Sequence, residues 1–230
     1  MEWIDLDKQW LLAVNGSDSL FLDSLVKTLT TATTWIPLYV ALLYMVFKNS
    51  GNFRRMLLIV ACAVVCVLLA GSLDDAIVKP LVQRWRPTRD PDIGIAVDIV
   101  NGYQGGRYGF FSAHASNTFS IAVFFIWLVR SRLLSISMVV WSLVNCWTRL
   151  YLGVHFPGDI IVGLLWGAFV GSLVWFVYYR IERKSDSKPG LISEQYTSTG
   201  YLHSHAHIVV TVLVATLLYA VIRACWAIYM

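Results

Sequence analysis

The feature that most constrains this chain is a series of long apolar runs, because about 20 apolar residues in a helix cross the hydrocarbon core of a bilayer. Four such runs are clear: Met56–Leu73, Ala115–Val129, Leu133–Thr148 and Ile160–Tyr179. Two others are Ile208–Ile222 and the shorter Thr34–Phe47, which a semi-polar stretch extends back towards Leu20. Only 14% of the residues are charged, against roughly a quarter in soluble domains. The sequence therefore predicts an all-α polytopic membrane helix bundle with about six transmembrane helices.

The first residues differ from these runs, because charged and apolar side chains alternate there. Trp3, Leu6 and Trp10 are interleaved with Asp5 and Asp7, a pattern typical of an amphipathic helix that lies at a membrane interface. The acidic start is not typical of a cleavable signal peptide. We expect four parts: an interfacial segment 1–19, a membrane core 20–181, a polar cytoplasmic linker 182–205 and a C-terminal transmembrane helix 206–230.

The basic residues of alternate connections predict the orientation of the bundle. Three connections that fall on one side carry nine of them: Lys48, Arg54, Arg55, Arg130, Arg132, Arg180, Arg183, Lys184 and Lys188. Cytoplasmic loops are enriched in Lys and Arg, so we expect this side to face the cytoplasm of a bacterium. The connections at about 79–113 and 149–158 then face the periplasm, together with both ends of the chain.

The cysteines and the last histidines do not form a metal-binding pattern. Cys62, Cys66, Cys146 and Cys225 lie in apolar runs without a CxxC pair, which predicts neither a disulfide framework nor a zinc site. His203, His205 and His207 alternate with other residues, and this spacing matches no zinc signature. We interpret this run as a polar entry to the last helix.

The connection at about 79–113 is unexpectedly basic for an outer loop. It contains Lys79, Arg84, Arg86, Arg89 and Arg107, which contradicts the positive-inside tendency unless an anion compensates the charge. Guanidinium groups match phosphate oxygens bidentately. On this loop alone, a solvated basic surface or a patch for lipid headgroups remains an alternative to a phosphate site.

Two histidines are predicted at the same outer side of the membrane as this basic connection. Ser112 is a good helix N-cap, which places His114 in the first turn of the next helix and leaves amides there that can hold an anion. His155 precedes Pro157, which favours a helix start near itself, and Asp159 then falls in its first turn. The carboxylate of Asp159 is expected to bind one nitrogen of His155 and to leave the other as a nucleophile.

These segments resemble the type 2 phosphatidic acid phosphatase superfamily, which also includes vanadium haloperoxidases. The first family motif, Lys, six residues and Arg-Pro, is present from Lys79 to Arg86-Pro87. The second, Pro-Ser-Gly-His, reads Phe111-Ser112-Ala113-His114. The third, Ser-Arg, five residues, His, three residues and Asp, reads Thr148-Arg149, His155 and Asp159. Every ionisable position is kept, while Phe111, Ala113 and Thr148 depart from the pattern. The resemblance covers roughly residues 53–180.

The resemblance implies a metal-independent lipid phosphatase without a cofactor. By this resemblance His155 attacks phosphorus, Asp159 orients His155, and His114 protonates the leaving oxygen. The phosphate-binding residues would be Lys79, Arg86, Ser112, Ala113 and Arg149. Such prepositioned donors stabilise the charge that spreads over the phosphoryl oxygens.

The substrate class is less constrained than the reaction. A site at a helix–lipid boundary favours a membrane-anchored phosphate, and Trp85, Tyr103, Tyr108 and Phe110 are either lining for its entry or ordinary interfacial aromatics. Similar bacterial members act on lipid A phosphates, undecaprenyl diphosphate or phosphatidylglycerol phosphate, and the size of the chain favours lipid A. The alternatives are a lipid phosphotransferase and a protein that binds or transports anionic lipids. No nucleic-acid partner is expected, and the oligomeric state stays open.

Overall fold

The computed structural model describes residues 2–182 and 194–229 and confirms the all-α class. Its helices are α1 (Glu2–Val14), α2 (Leu20–Thr30), α3 (Ile36–Asn49), α4 (Phe53–Val67), α5 (Lys79–Val82), α6 (Ala113–Val129), α7 (Arg132–Tyr151), α8 (Pro157–Glu182) and α9 (His203–Trp226). Residues 183–193 of the predicted linker, including Arg183, Lys184 and Lys188, lie outside the described residues.

Four helices are long and apolar enough to span a membrane: Phe53–Val82, Arg132–Tyr151, Pro157–Glu182 and His203–Trp226. A fifth span results if Leu20–Thr30 and Ala32–Asn49, which are bent by 68° at their junction, count as one. The α6 helix is apolar but has only 17 residues. A polytopic membrane protein is therefore confirmed, whereas the expected number of six spans is not.

The α6 and α8 helices form a close contact through small residues. Gly163, Gly167 and Gly171 of α8 face the backbone of α6 at intervals of one helical turn. A Cβ atom on Gly167 would lie 2.6 Å from the carbonyl oxygen of Ser116, which is closer than real Cβ contacts allow. Small residues let membrane helices approach in this way. The contact brings the N-terminal ends of both helices, and hence the second and third motifs, together.

The helix that begins as α4 changes its winding before the first motif. Two π-helical segments, Leu68–Ser72 and Asp74–Val78, join α4 to α5 in one continuous helix. In the second segment the Lys79 amide donates to the carbonyl oxygen of Asp74, which is the i to i+5 bond of a π-helix. An α-helix would turn the Asp74 and Lys79 side chains well apart, whereas the wider turn places them on one face. Such π-bulges often occur at functional sites.

The α9 helix packs against α2, α3 and α7. The Leu202 amide, just before α9, donates to Asn49 Oδ1 at 3.0 Å. Tyr201 is buried beside this contact. The start of α9 is therefore tied to the end of α3, at the end of the bundle opposite the three motifs.

Candidate active site

The three motifs meet at one end of the bundle because each lies where a helix begins or ends. Lys79 starts the last turn of the helix from Phe53, and Arg86 follows in the next loop. Ser112 caps α6 by accepting from the Ala115 amide at 3.4 Å, as its residue type predicts. Arg149 lies in the last turn of α7, and His155 lies in the short connection to α8.

His155 is buried between one cation and one carboxylate. Its Nε2 atom lies 3.1 Å from Arg86 Nη1, and its Nδ1 atom lies 3.5 Å from Asp159 Oδ2. A guanidinium can only donate hydrogen bonds, so Nε2 is the ring nitrogen that carries the lone pair. The proton then resides on Nδ1, which faces Asp159. This tautomer leaves a lone pair on Nε2, as a nucleophilic role of His155 would require.

The surroundings of His155 keep its ring neutral. Burial lowers the pKa of His155 to about 4, against an ordinary value of 6.5. Asp159 acts in the opposite direction and favours the protonated ring, while Arg86 and Arg149 disfavour it. At neutral pH the ring therefore retains the lone pair that attack on phosphorus requires.

Asp159 is fully buried and its two oxygen atoms have separate donors. Oδ1 accepts from Arg84 Nη1 at 2.7 Å. Oδ2 accepts from the Phe156 amide at 3.0 Å, which is the reach of an acidic N3 residue back to the N-cap in a capping box. Pro157 occupies the first helical position, where its missing N–H is harmless. Local helix-start chemistry thus holds the carboxylate beside His155.

Arg149 is the buried cation with the fewest partners. Its side chain is 2% exposed, and Nη1 donates to the Tyr103 hydroxyl at 3.3 Å. Its Nε and Nη2 atoms have no hydrogen-bond partner in the described part of the chain. Leaving such donors unpaired in a buried position is unfavourable by about 1–3 kcal/mol. An anion bound between them would remove this cost.

Arg86 likewise lacks a carboxylate partner among residues 2–182 and 194–229. Its Nε donates to the Tyr108 carbonyl at 3.1 Å, and Nη1 donates to the Val154 carbonyl at 3.0 Å. These neutral acceptors orient the guanidinium towards His155 but do not neutralise it. Burial lowers the pKa of Arg86, which still leaves an arginine charged at neutral pH.

Lys79 has a different environment from the two arginines. Its ammonium lies 3.0 Å from Asp74 Oδ2 and also contacts Asp75. Asp74 is fully buried, and its Oδ1 accepts from the Phe111 amide at 3.1 Å. The Asp74 carboxylate thus joins the first motif to the second. A phosphate that reaches Lys79 has to compete with two carboxylates.

His114 completes the cluster from the first turn of α6. It is half-buried and interacts electrostatically with Arg149, His155, Arg86 and Lys79. The Ser112 amide donates to the Asp159 carbonyl at 3.1 Å, which links the starts of α6 and α8. Ala113 opens the same turn. All eight residues predicted from the sequence therefore lie at this end of the bundle, although Lys79 is held by carboxylates.

The aromatic residues expected at the entry have separate positions. Trp85 and Tyr108 lie with ring centroids 5.6 Å apart, and the guanidinium of Arg107 covers both rings. The Tyr103 ring covers Arg149 at 5.5 Å, whereas Phe110 packs edge-on against Phe111. Of these four aromatic residues, Tyr103 is thus the one that contacts Arg149 directly.

Three residues of this arrangement were not predicted. Arg84 binds Asp159 and also donates to Asp7 at 2.6 Å, while Asp74 joins Lys79 to the loop before α6. The sequence marked Arg84 only as part of a basic loop and Asp7 only as part of an amphipathic pattern. Neither pattern signals a contact over 77 residues of separation.

The late histidines lie away from this cluster. His205 Nδ1 lies 3.0 Å from Asn49 Nδ2, and its ring meets Tyr44 edge-on. The rings of His203 and His207 are 6.3 Å apart. Within the described ranges, no three His, Cys, Asp or Glu side chains converge as a metal site would require.

At this end of the membrane bundle, a buried neutral histidine lies next to a carboxylate and beside arginines that lack carboxylate partners among the described residues, which is an arrangement suited to a membrane phosphatase. The family model of the PAP2 superfamily matches residues 56–183. That range is more than half of the chain and contains all three motifs. The chain belongs to the PAP2 superfamily, and it is a lipid phosphatase of that family.

Comparison with curated proteins gives the same class. The chain is 40% identical over 185 residues to a lipid A 4'-phosphatase of Bacteroides thetaiotaomicron, covering 80% of this chain and 81% of that protein. It is 34% identical over 181 residues to a lipid A 4'-phosphatase of Porphyromonas gingivalis, covering 77% and 75%.

A more distant relative is a decaprenylphosphoryl-5-phosphoribose phosphatase of Mycobacterium tuberculosis, 35% identical over 99 residues, which are 43% of this chain and 50% of that protein. No solved structure matches the chain.

Proposed function

We propose that this protein removes a phosphate from lipid A through a phosphohistidine on His155, at the periplasmic face of the inner membrane. The observation that carries the chemistry is the buried Arg149, whose Nε and Nη2 lack partners in the same cluster as the neutral His155. A buried cation without a counter-ion is unfavourable unless an anion binds there. A phosphoryl group fits these donors because its oxygen atoms match a guanidinium fork.

In the first step, the lone pair on His155 Nε2 attacks phosphorus and the bond from phosphorus to the lipid oxygen breaks. His114 transfers a proton to that oxygen, so that the lipid leaves as an alcohol. The Asp159 carboxylate stabilises the positive charge that develops on the His155 ring. The incoming phosphate also favours the protonated form of His114, because it compensates the neighbouring cations.

In the second step, His114 accepts a proton from water and the resulting hydroxide attacks phosphorus. The bond from phosphorus to Nε2 breaks, inorganic phosphate leaves, and both histidines return to their starting states. Arg86, Arg149 and Lys79, with the Ser112 hydroxyl and the Ala113 amide, hold the phosphoryl oxygens in both steps. Fixed donors of this kind contribute the largest part of catalysis in phosphoryl transfer.

The mechanism is tested with purified protein in proteoliposomes that contain bisphosphorylated lipid A. We expect His155→Ala and His114→Ala to abolish phosphate release, whereas His205→Ala, at the opposite end of the bundle, keeps the wild-type rate. A chelator is expected to leave the rate unchanged. Labelled phosphate should appear on the wild-type protein after rapid quenching and be absent from His155→Ala. Wild-type release by both histidine variants would reject the mechanism.

Lipid A is proposed as the substrate because two relatives that cover most of this chain carry that name. The same names favour removal of the 4'-phosphate. Mass spectrometry of the product, with fragmentation of the sugar rings, tells the two phosphates of lipid A apart. Undecaprenyl diphosphate and phosphatidylglycerol phosphate complete the substrate panel. Faster turnover of either lipid than of lipid A would overturn the proposed substrate but would not contradict the proposed phosphatase mechanism. Labelled phosphate on a second lipid would instead show phosphotransfer.

The periplasmic orientation is supported by the cytoplasmic bias of basic residues on the opposite end. It is tested in a Cys225→Ser background, because Cys225 is exposed while Cys62, Cys66 and Cys146 are buried. Ile95→Cys introduces a thiol in the exposed loop on the site end, and Gly51→Cys introduces one at the opposite end. An impermeant maleimide should label the first in intact cells and the second only after lysis. The reverse pattern would contradict the orientation.

A further inference from the structure

The N-terminal helix α1 contacts the candidate active site through Asp7. Asp7 Oδ2 accepts from Arg84 Nη2 at 2.6 Å, and Oδ1 accepts from the Gly158 amide at 2.7 Å. Asp7 lies outside residues 56–183, which the family model matches. Its side chain is only 15% exposed, so this contact is not a screened surface pair.

Arg84 connects Asp7 to the carboxylate that faces His155. One terminal nitrogen donates to Asp7 and the other donates to Asp159 at 2.7 Å. The guanidinium also stacks on the Phe156 ring at 4.3 Å, which restrains its plane. Because a guanidinium is rigid and planar, a shift of the Asp7 carboxylate moves the donor that holds Asp159.

The second contact of Asp7 is made with the start of α8, the helix whose first turn contains Asp159. Gly158 is in the first turn of α8, where backbone amides have no partner within the helix. The Asp7 carboxylate supplies that partner and is also favoured by the positive end of the helix dipole. A Cβ atom on Gly158 would lie 2.9 Å from Asp7 Oδ2, so the approach depends on glycine at this position.

Docking of α1 does not depend on Asp7 alone. Lys8 Nζ lies 3.3 Å from Asp90 Oδ1 and 2.6 Å from Asp92 Oδ2. Leu11 is fully buried in a cluster with Val97 and Phe156. Loss of Asp7 is therefore expected to disturb Arg84 and Asp159, while α1 stays packed against the loop that contains Asp90, Asp92 and Val97.

We propose that Asp7 is a positioning residue for the phosphatase reaction, acting through Arg84 and the Gly158 amide on Asp159 and thereby on His155. This inference rests on the proposed function of His155. Without Asp7, Arg84 retains Asp159 as its one carboxylate partner among the described residues and is drawn towards it. Arg84 then pulls on Asp159 Oδ1, and the rigid carboxylate rotates with it. Oδ2, which faces His155 Nδ1 at 3.5 Å, is displaced from its bond to the Phe156 amide, and the ring loses its orientation.

The test compares Asp7→Asn with Lys8→Met in the purified full-length protein, using lipid phosphate in proteoliposomes. Each variant removes ionic contacts of α1, the pair with Arg84 or the pairs of Lys8 with Asp90 and Asp92, but only the first acts on Arg84. We expect Asp7→Asn to lower kcat by up to about 100-fold with little change in KM, since a misplacement near 1 Å has an effect of this size. Lys8→Met should keep kcat within about twofold even if its thermal stability falls equally. Asp7→Glu, which restores the charge, should recover part of kcat.

The route through Arg84 is tested by a double-mutant cycle. In an Arg84→Met background, Asp7→Asn should have much less effect on kcat than in the wild type. Fully independent effects, or equal losses of kcat in Asp7→Asn and Lys8→Met, would overturn the inference. If Asp7→Asn does not fold, Asp7→Glu and Gly158→Ala provide the same comparison with Lys8→Met. Phosphate release by the wild type and its loss in His155→Ala test the proposed function separately.

Discussion

The two ends of the bundle differ in how they satisfy an arginine, the buried Arg149 at one end and the half-buried Arg55 at the other. At the site end, Arg149 has one hydroxyl partner and two donor nitrogens without partners among the described residues. At the other end, Arg55 donates to the Tyr178 hydroxyl at 3.2 Å and lies 3.7 Å from Glu182 Oε1. The fold itself satisfies Arg55, which makes it a structural residue. Arg149 keeps its unpaired donors at a cost in folding stability, which supports the proposal that an anion binds there.

The same contrast holds within the site. Arg84 is bound by Asp7 and Asp159 on its two terminal nitrogens, whereas Arg86, two residues later, has only neutral carbonyl acceptors and His155. Their residue type is identical, so their roles depend on where the carboxylates lie. We propose that the paired arginine positions Asp159 and that the unpaired arginines bind the phosphate.

The largest expected effect comes from Arg149→Met, which keeps the length of the side chain and removes its charge. We expect kcat/KM to fall about 10²- to 10³-fold, the typical effect of removing one preorganised donor. The thermal stability of the variant should be equal to or higher than that of the wild type, because an uncompensated buried charge is removed. Turnover in proteoliposomes and thermal unfolding in detergent measure the two effects.

Inorganic phosphate provides the control for this comparison. At about 100 times its dissociation constant it should stabilise the wild-type protein by about 2.7 kcal/mol. The Arg149→Met variant should show a much smaller shift. An equal shift in both proteins, or a variant that is strongly destabilised without phosphate, would contradict the assignment of Arg149 as a ligand-binding cation.

A smaller effect is expected for the pH dependence of the free enzyme. Because burial lowers the pKa of His155 to about 4, its ring should remain neutral at about pH 5.5, where an ordinary histidine would be about 90% protonated. The lone pair, and with it the nucleophile, is lost only as pH falls through about 4. Folding stability should also decline between 6.5 and about 4, since the unfolded chain binds this proton first.

Nitrogen chemical shifts of labelled histidine, with His155 assigned by a His155→Gln variant, measure this titration directly. A midpoint near the ordinary value of 6.5 would contradict the buried environment of the ring. The kcat/KM profile, measured alongside, should show no acid limb from His155 above about pH 5.

The smallest effect is expected at the opposite end. Arg55→Met should lower the free energy of unfolding by about 1 kcal/mol, the usual contribution of a hydrogen bond. Its phosphate release should match the wild type, because the change is remote from Arg86 and Arg149 at the site end. Tyr178→Phe removes the same hydrogen bond and should behave alike. A large loss of turnover in either variant would show that the two ends are coupled.

Much of the helical framework could be predicted because a membrane helix must contain its own backbone hydrogen bonds. The predicted runs Ala115–Val129, Leu133–Thr148 and Ile160–Tyr179 lie inside α6, α7 and α8. The bend of 68° between Leu20–Thr30 and Ala32–Asn49 was not predicted. Neither was the π-helical winding before Lys79, because both features depend on packing between helices.

The sequence by itself determined the class of enzyme, which the family match confirms, and the residue types of the candidate site. Each motif carries its functional side chains at fixed short spacings, and capping by Ser112 or Pro157 is local enough to be predicted from residue type. Only the tertiary structure decided which cations are paired. Asp74 is close to Lys79 in sequence but reaches it through the π-helical turn. Asp7 and Asp159 lie 77 and 75 residues from Arg84, and no local pattern brings these three together. Helix packing does so, because close contact of α6 with α8 and docking of α1 are set by shape and burial over the whole molecule.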